Sequence, residues 1–168
     1  EDNLDFIKRT INLEVISYNQ IENALEKKLN YYLHLPAIYP VSLKESNLSS
    51  KYGYRRDPFL KRRKFHQGDD FSADIGTDVM ATANGIVKTS RKYGSFGNYI
   101  EIDHGNGYLT VYGHLNKRFV KAGDEIERGQ IIGEVGNTGR STAPHLHYEI
   151  QFNSKHINPK KNYFEINL

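Results

Sequence analysis

Two hydrophobic periods divide the chain. From Asp2 to about His34 the apolar positions repeat with helical spacing. Leu4, Ile11, Tyr18, Leu25 and Tyr32 stand seven residues apart; Ile7 and Ile21 follow three after a member of that series, and Val15 and Leu29 four after. A stripe of this kind forms a coiled-coil seam, here interrupted by Glu14 and Lys28. It would serve equally as the inner face of a helix laid on its own domain. Pro36 and Pro40 end the helix, because proline has no N–H to donate and restricts the residue before it.

Beyond residue 48 the period shortens to two. Leu48 to Tyr54, Ile86 to Ser90, Tyr99 to Asp103 and Tyr108 to Leu115 read as strands. Asn106-Gly107 between the last two is a hairpin-turn signal. Gly123, Gly129, Gly133, Gly136 and Gly139 then bracket short apolar pieces such as Ile131-Ile132. Close-spaced short strands with glycine turns predict a barrel or sandwich. The cleanest alternation is His145-Leu146-His147-Tyr148-Glu149-Ile150-Gln151-Phe152. As a strand it turns Leu146, Tyr148, Ile150 and Phe152 to a core, and His145, His147, Glu149 and Gln151 to the other face. The pattern thus predicts a helix over residues 1–35, a linker over 36–47 and a mainly β domain over 48–168.

A length of 168 residues suits one domain with an appendage, and 38% hydrophobic with 26% charged residues is ordinary for a globular protein. No apolar run reaches the roughly 18 residues of a membrane-spanning helix. The absence of cysteine excludes disulfides, thiolate nucleophiles and cysteine-bound zinc. A net charge of +3 is too small to argue for nucleic acid. Arg55, Arg56, Lys61, Arg62, Arg63 and Lys64 are concentrated just before His66, and no nucleic-acid recognition motif accompanies them. They read as a solvated loop or as a rim that attracts an acidic substrate. The chain starts at Glu1 rather than Met, so the lack of a targeting segment is uninformative about a parent protein.

The alternating strand places the imidazoles of His145 and His147 roughly 7 Å apart on one face, and neutral imidazole is the commonest metal ligand. A second cluster, His66-Gln67-Gly68-Asp69-Asp70, sets His66 and Asp70 four residues apart, on one side of either an extended or a helical segment. Two histidines and a carboxylate, with water as the fourth ligand, make a catalytic rather than a structural zinc site. Four imidazoles, from His66, His114, His145 and His147, compete for the places, and a site using two leaves two for proton handling.

Phe65-His66-Gln67-Gly68-Asp69-Asp70, Gly76-Thr77, Tyr112-Gly113-His114-Leu115 and Gly136 through His147 together resemble the lysostaphin/LytM-type metallopeptidases, which are peptidoglycan endopeptidases. Ser50 to Pro58 resembles the family's entry segment, and Gly123 to Gly133 its late hairpin region; the match runs over roughly residues 48–160. The resemblance implies an antiparallel barrel-sandwich like the duplicated hybrid motif. It implies Zn2+ held by His66 and Asp70 of the H-x-x-x-D motif and by His147, second in H-x-H. It implies His114 and His145 as the catalytic pair around a zinc-activated water. Asp69 stands where the family usually has an apolar residue, and Ala143 where it commonly has glycine. His34, His104 and His156 match no motif position and are expected to be structural or solvated.

The implied substrate is peptidoglycan. The helical lead resembles Gram-negative envelope members and favours D-Ala–diaminopimelate cross-links in the periplasm, with a role in cell shape. Some relatives lack the ligands and act as non-catalytic wall-binding or activator modules. A membrane anchor, where the parent has one, would lie in a segment absent here. The stripe on the helix predicts a homodimer, or pairing with a similar chain.

Overall fold

A computed structural model describes residues 2–163. Glu1 and residues 164–168, at the outer ends of the expected helix and β domain, lie outside the described residues. The chain falls into two compact units, Glu1–Leu33 and His34–Leu168.

The first unit is one helix, α1 (Asp2–Leu33), with Asp2 and Asp5 in its first turn, where negative charge offsets the positive end of the helix dipole. It stops just before the first proline. None of its described side chains is buried, and Leu4, Ile11, Tyr18, Leu25 and Tyr32 are all more than half exposed.

The second unit is antiparallel β. Its strands are β1 (Ser46–Ser50), β2 (Gly53–Arg56), β3 (Arg63–His66), β4 (Asp69–Ala73), β5 (Asp78–Met80), β6 (Gly85–Tyr93), β7 (Gly97–Gly105), β8 (Tyr108–Leu115), β9 (Glu125–Ile126), β10 (Ile131–Glu134), β11 (His145–Phe152) and β12 (Lys155–Ile157). The main sheet runs β1-β4-β11-β8-β7-β6-β9, with β12 on the free part of β11; β5 pairs β10, and β2 pairs β3. It has two ends, so the sheets do not close into a barrel. The β7–β8 turn carries positive φ at both Asn106 (51°) and Gly107 (81°), as a two-residue I′ hairpin demands.

Two elements differ from the sequence pattern. The strand expected over Leu48 to Tyr54 is broken at Lys51 and Tyr52. There the backbone bonds side chains instead of a ladder: Lys51 O faces His66 Nδ1 at 3.0 Å, and Tyr52 N donates to Asp69 Oδ1 at 2.8 Å. The stretch 36–47 runs against the β unit. Val41 is fully buried in its core, and Met80 N donates to Pro40 O.

The core gathers Phe71, Val79, Ile100, Ile102, Tyr112, Leu115, Ile132, Leu146, Tyr148 and Ile150. A polar chain crosses it: His104 Nε2 accepts from Thr110 Oγ1 at 2.7 Å, Thr110 Oγ1 lies 3.1 Å from the Tyr112 hydroxyl, and Thr82 links Tyr112 to Tyr148. His104 Nδ1 donates to Asn84 O at 2.7 Å, so this histidine is structural. Burial pushes its pKa down to about 4 from 6.5. The unfolded chain therefore binds more protons between those values, and stability is lost as pH falls through that window. A shift of this size corresponds to roughly 3 kcal/mol. Urea midpoints should fall between pH 7 and pH 5 by clearly more in the parent than in His104→Gln; equal falls would refute this account.

Candidate metal centre and cleft

β11 lies between β4 and β8, and its register sets the site: His147 stands opposite Asp70 on one side and Gly113 on the other. Residues directly opposite bring their Cβ atoms to about 5 Å, so His147 and Asp70 meet by strand pairing alone. Gly113 leaves room for Phe96, whose ring centre is 5.6 Å from that of His147. Both faces of β11 are covered, and the polar face is buried at His147 and Glu149. Alternation along this strand therefore separates apolar core from polar site, not core from solvent.

His66 arrives from the β2–β3 hairpin. The chain leaves β3 and enters β4 through Gln67-Gly68, so His66 and Asp70 sit on different strands, not on one extended or helical run. Gly68 makes the crossing possible: a Cβ there would stand 2.1 Å from Tyr148 O. The crossing brings three ligand atoms together. His147 Nδ1 is 2.7 Å from Asp70 Oδ1, His66 Nε2 is 3.1 Å from Asp70 Oδ1, and the two imidazole nitrogens are 3.1 Å apart. All three residues are buried, and the group could hold a metal ion.

The second nitrogens are fixed from behind. Lys51 O can only accept, so His66 Nδ1 carries the hydrogen toward it; His147 Nε2 points at Glu149 Oε1, 2.9 Å away. Glu149 is itself buried. Its Oε2 lies 3.2 Å from His156 Nδ1, at an angle that makes the contact electrostatic rather than a hydrogen bond. Arg55 Nη2 bonds the outer oxygen of Asp70 at 3.1 Å. Burial works against charge on Asp70, but hydrogen bonds and charge from His147 and His66 outweigh it and hold the pKa well below the usual range. Burial likewise opposes charge on His147; the Asp70 and Glu149 carboxylates prevail and push its pKa up to about 9. An imidazole and a carboxylate placed this way can share a proton, and a cation can take that proton's place. The donor set fits an ion that accepts nitrogen and oxygen ligands.

His114 and His145 face this group. His114 closes β8 with φ of +62°, a left-handed conformation that costs a non-glycine residue roughly 1–2 kcal/mol and recurs at functional sites. Its Nδ1 donates to Thr138 O at 2.7 Å, and burial pushes its pKa down to about 4. His145 Nδ1 donates to Ala143 O at 2.8 Å, and its Nε2 is 3.8 Å from Asp70 Oδ1. The two rings are 4.7 Å apart. In both, the carbonyl fixes the tautomer and leaves Nε2 as a free acceptor.

A cleft of about 470 Å³ opens over these residues, rimmed by Asp57 to Phe59, by Ser95 and Phe96, and by Arg140 to Thr142. Arg140 ties two rims: its Nη2 is 3.1 Å from Asp57 Oδ1, its guanidinium lies 4.4 Å from the Phe59 ring centre, and its amide donates to Ser95 O. Of the basic run only Arg55 and Lys64 line the cleft. Arg63 covers the Tyr54 ring at 4.6 Å, and Arg56 Nε bonds Lys61 O. Asp69, the acidic neighbour of Asp70, takes no part: its oxygens accept from Tyr52 N and the Tyr163 hydroxyl.

Comparison with known proteins agrees with this geometry. Residues 64–159 match Peptidase family M23. The chain is 46% identical over 124 residues to the peptidoglycan DD-endopeptidase ShyA of Vibrio cholerae, covering 73% of this chain and 29% of that protein. It is 43% identical over 114 residues to the DD-carboxypeptidase/endopeptidase Mpg of Neisseria meningitidis, covering 68% and 26%. The chain thus spans under a third of the length of these curated relatives. Among solved structures, a zinc-containing peptidase from Vibrio cholerae superposes with TM-score 0.68 at 38% identity, over 72% of this chain and 38% of that one. The lysostaphin catalytic domain from Staphylococcus simulans gives 0.61 at 36%, over 69% and 90%. The match over residues 64–159 takes in every residue of the metal cluster and both facing histidines, and the chain belongs to peptidase family M23.

Proposed function

We propose that the chain is a zinc-dependent endopeptidase that hydrolyses the peptide cross-links of bacterial peptidoglycan, at D-Ala–diaminopimelate bonds, in the periplasm. The observation that carries this reading is the placement of a two-histidine, one-carboxylate cluster and two further imidazoles in a single open cleft. The DD-endopeptidase names of the relatives support the substrate.

His66 Nε2, Asp70 Oδ1 and His147 Nδ1 would hold the ion, and three protein ligands would leave a position for water. When bound, zinc lowers the pKa of water toward about 7 and polarises a carbonyl oxygen. Lys51 O and Glu149 keep the ligating rings oriented, and Arg55 occupies the second oxygen of Asp70. His114 and His145 direct Nε2 lone pairs at the reacting group: one takes the proton of the attacking water and passes it to the leaving amine, and the other accepts a hydrogen bond from that water and orients it. Phe59 and Phe96 line the walls and limit water around the scissile bond.

The test is digestion of purified peptidoglycan by the zinc-loaded chain, with the fragments weighed by mass spectrometry. Loss of cross-linked dimers to monomers, halted by chelation, is expected. Unchanged fragments from a zinc-loaded sample would refute the enzyme and favour a wall-binding module.

The domain plan and partner follow the same reading: residues 1–35 form a pairing helix, and 48–168 hold the peptidase, with 36–47 packed against it. The exposed seven-residue series of α1 is the seam of a homodimer or of a pair with a similar chain. Light scattering at micromolar concentration should give twice the chain mass, reduced to one by Ile11→Asp with Leu25→Asp. A monomeric parent would dispose of the pairing.

A further inference from the structure

The β2–β3 hairpin carries an unspent positive charge beside the metal cluster. Its register pairs Gly53 with His66, Tyr54 with Phe65, Arg55 with Lys64 and Arg56 with Arg63. Side chains directly opposite share a face and successive ones alternate. His66, Lys64 and Arg55 therefore share one face, which fronts the cleft. Tyr54, Phe65, Arg56 and Arg63 share the other, where Arg63 covers Tyr54.

Arg55 and Lys64 are like charges directly across a hairpin, an arrangement that destabilises a sheet unless something else compensates. Arg55 spends one N–H on Asp70 Oδ2 and is a third exposed. Lys64 has no carboxylate within 4 Å among the described residues. The acid near it, Asp57, attracts Lys64 only through space, while its Oδ1 takes the direct contacts from Phe59 N, Leu60 N and Arg140. The hairpin thus offers an ammonium and the remaining guanidinium donors along one wall of the cleft. Lys64 is two strand positions, about 7 Å, from the ligand His66. That is roughly the reach of one amino-acid residue with its side chain from a carbonyl at the metal.

We propose that Lys64 and Arg55 form a subsite for a free carboxylate on the residue next to the scissile bond. The subsite rests on the peptidase reading of the cleft. It specifies the substrate class as a cross-link whose flanking residue is anionic, and it disfavours linkers built only of neutral residues such as glycine. Arg55 has a second duty toward Asp70, so Lys64 is the discriminating residue.

The experiment uses the zinc-loaded chain and two synthetic cross-linked peptides that differ only in a carboxylate or a carboxamide on that residue. The carboxylate peptide should have the higher kcat/KM, through KM, by about fivefold, as expected of a partly exposed charged contact. Lys64→Gln should bring the ratio close to one, Lys64→Arg should keep it, and rising salt should shrink it in the parent. Equal cleavage of both peptides by the parent, or a ratio undiminished in Lys64→Gln, overturns the subsite while leaving the peptidase reading intact. Cleavage of neither peptide overturns both.

Discussion

Asp70→Ala is expected to lose the metal and all hydrolysis, whereas its neighbour Asp69→Ala keeps both. The two acids lie side by side on β4 and are both buried, yet strand alternation sends them to different partners. Asp70 Oδ1 is within 3.1 Å of His66 Nε2 and His147 Nδ1, so its removal leaves two histidines and a displaced Arg55. Losing even an outer partner of a metal ligand costs about 10–100-fold in affinity, and losing the ligand itself should exceed that. Asp69 supports the fold instead. Its removal strands the Tyr52 amide and the Tyr163 hydroxyl, which should cost about 1–3 kcal/mol without emptying the site. Metal content by atomic emission and a thermal melt separate the two variants. A metal-free Asp69→Ala beside a metal-loaded Asp70→Ala would place the ligand on the wrong acid.

His114→Ala should retain metal and lose about 10²–10⁴-fold in kcat, the usual worth of a positioned proton-transfer group. The loss follows from removing one of the two free Nε2 acceptors that face the metal cluster. The backbone supplies a second readout. With φ of +62° at this position, His114→Gly should be equally inactive but more stable than His114→Ala, by roughly 1 kcal/mol. Loss of metal from either variant would mean that His114 is a ligand. A Gly variant less stable than the Ala variant would mean that the conformation relaxes without the ring.

The sequence pattern goes furthest where one periodicity decides the outcome. The long helical stripe marks α1, ending within a residue or two of Leu33, and Asn106-Gly107 marks the β7–β8 hairpin. The alternation from His145 to Phe152 marks β11. The site needs more, because its parts come from three places. That His147 opposes Asp70 depends on the order β4-β11-β8, which is a long-range pairing with no local signal. His66 and Asp70 look adjacent through their spacing, but they meet because the chain reverses at Gln67-Gly68. The glycine alone could have hinted at that close pass over Tyr148. Lys51 O, the anchor of His66, is a backbone atom, and no pattern of side chains can point to it. Arg55 and Lys64 are visible only as part of a basic run; the hairpin register separates them from Arg56 and Arg63.

The bridge from Arg140 to Asp57 decides how firmly two rims of the cleft are held together. It is the contact by which one side chain spans two rims of the cleft, and it is made at the surface, with the arginine side chain 39% exposed. Ion pairs in such a setting are weakened by salt and open at little cost. The spacing between the rim at Asp57 and the rim at Arg140 is therefore set by a bond that salt loosens. That spacing should widen as ionic strength rises, and Arg140→Gln should make it insensitive to salt.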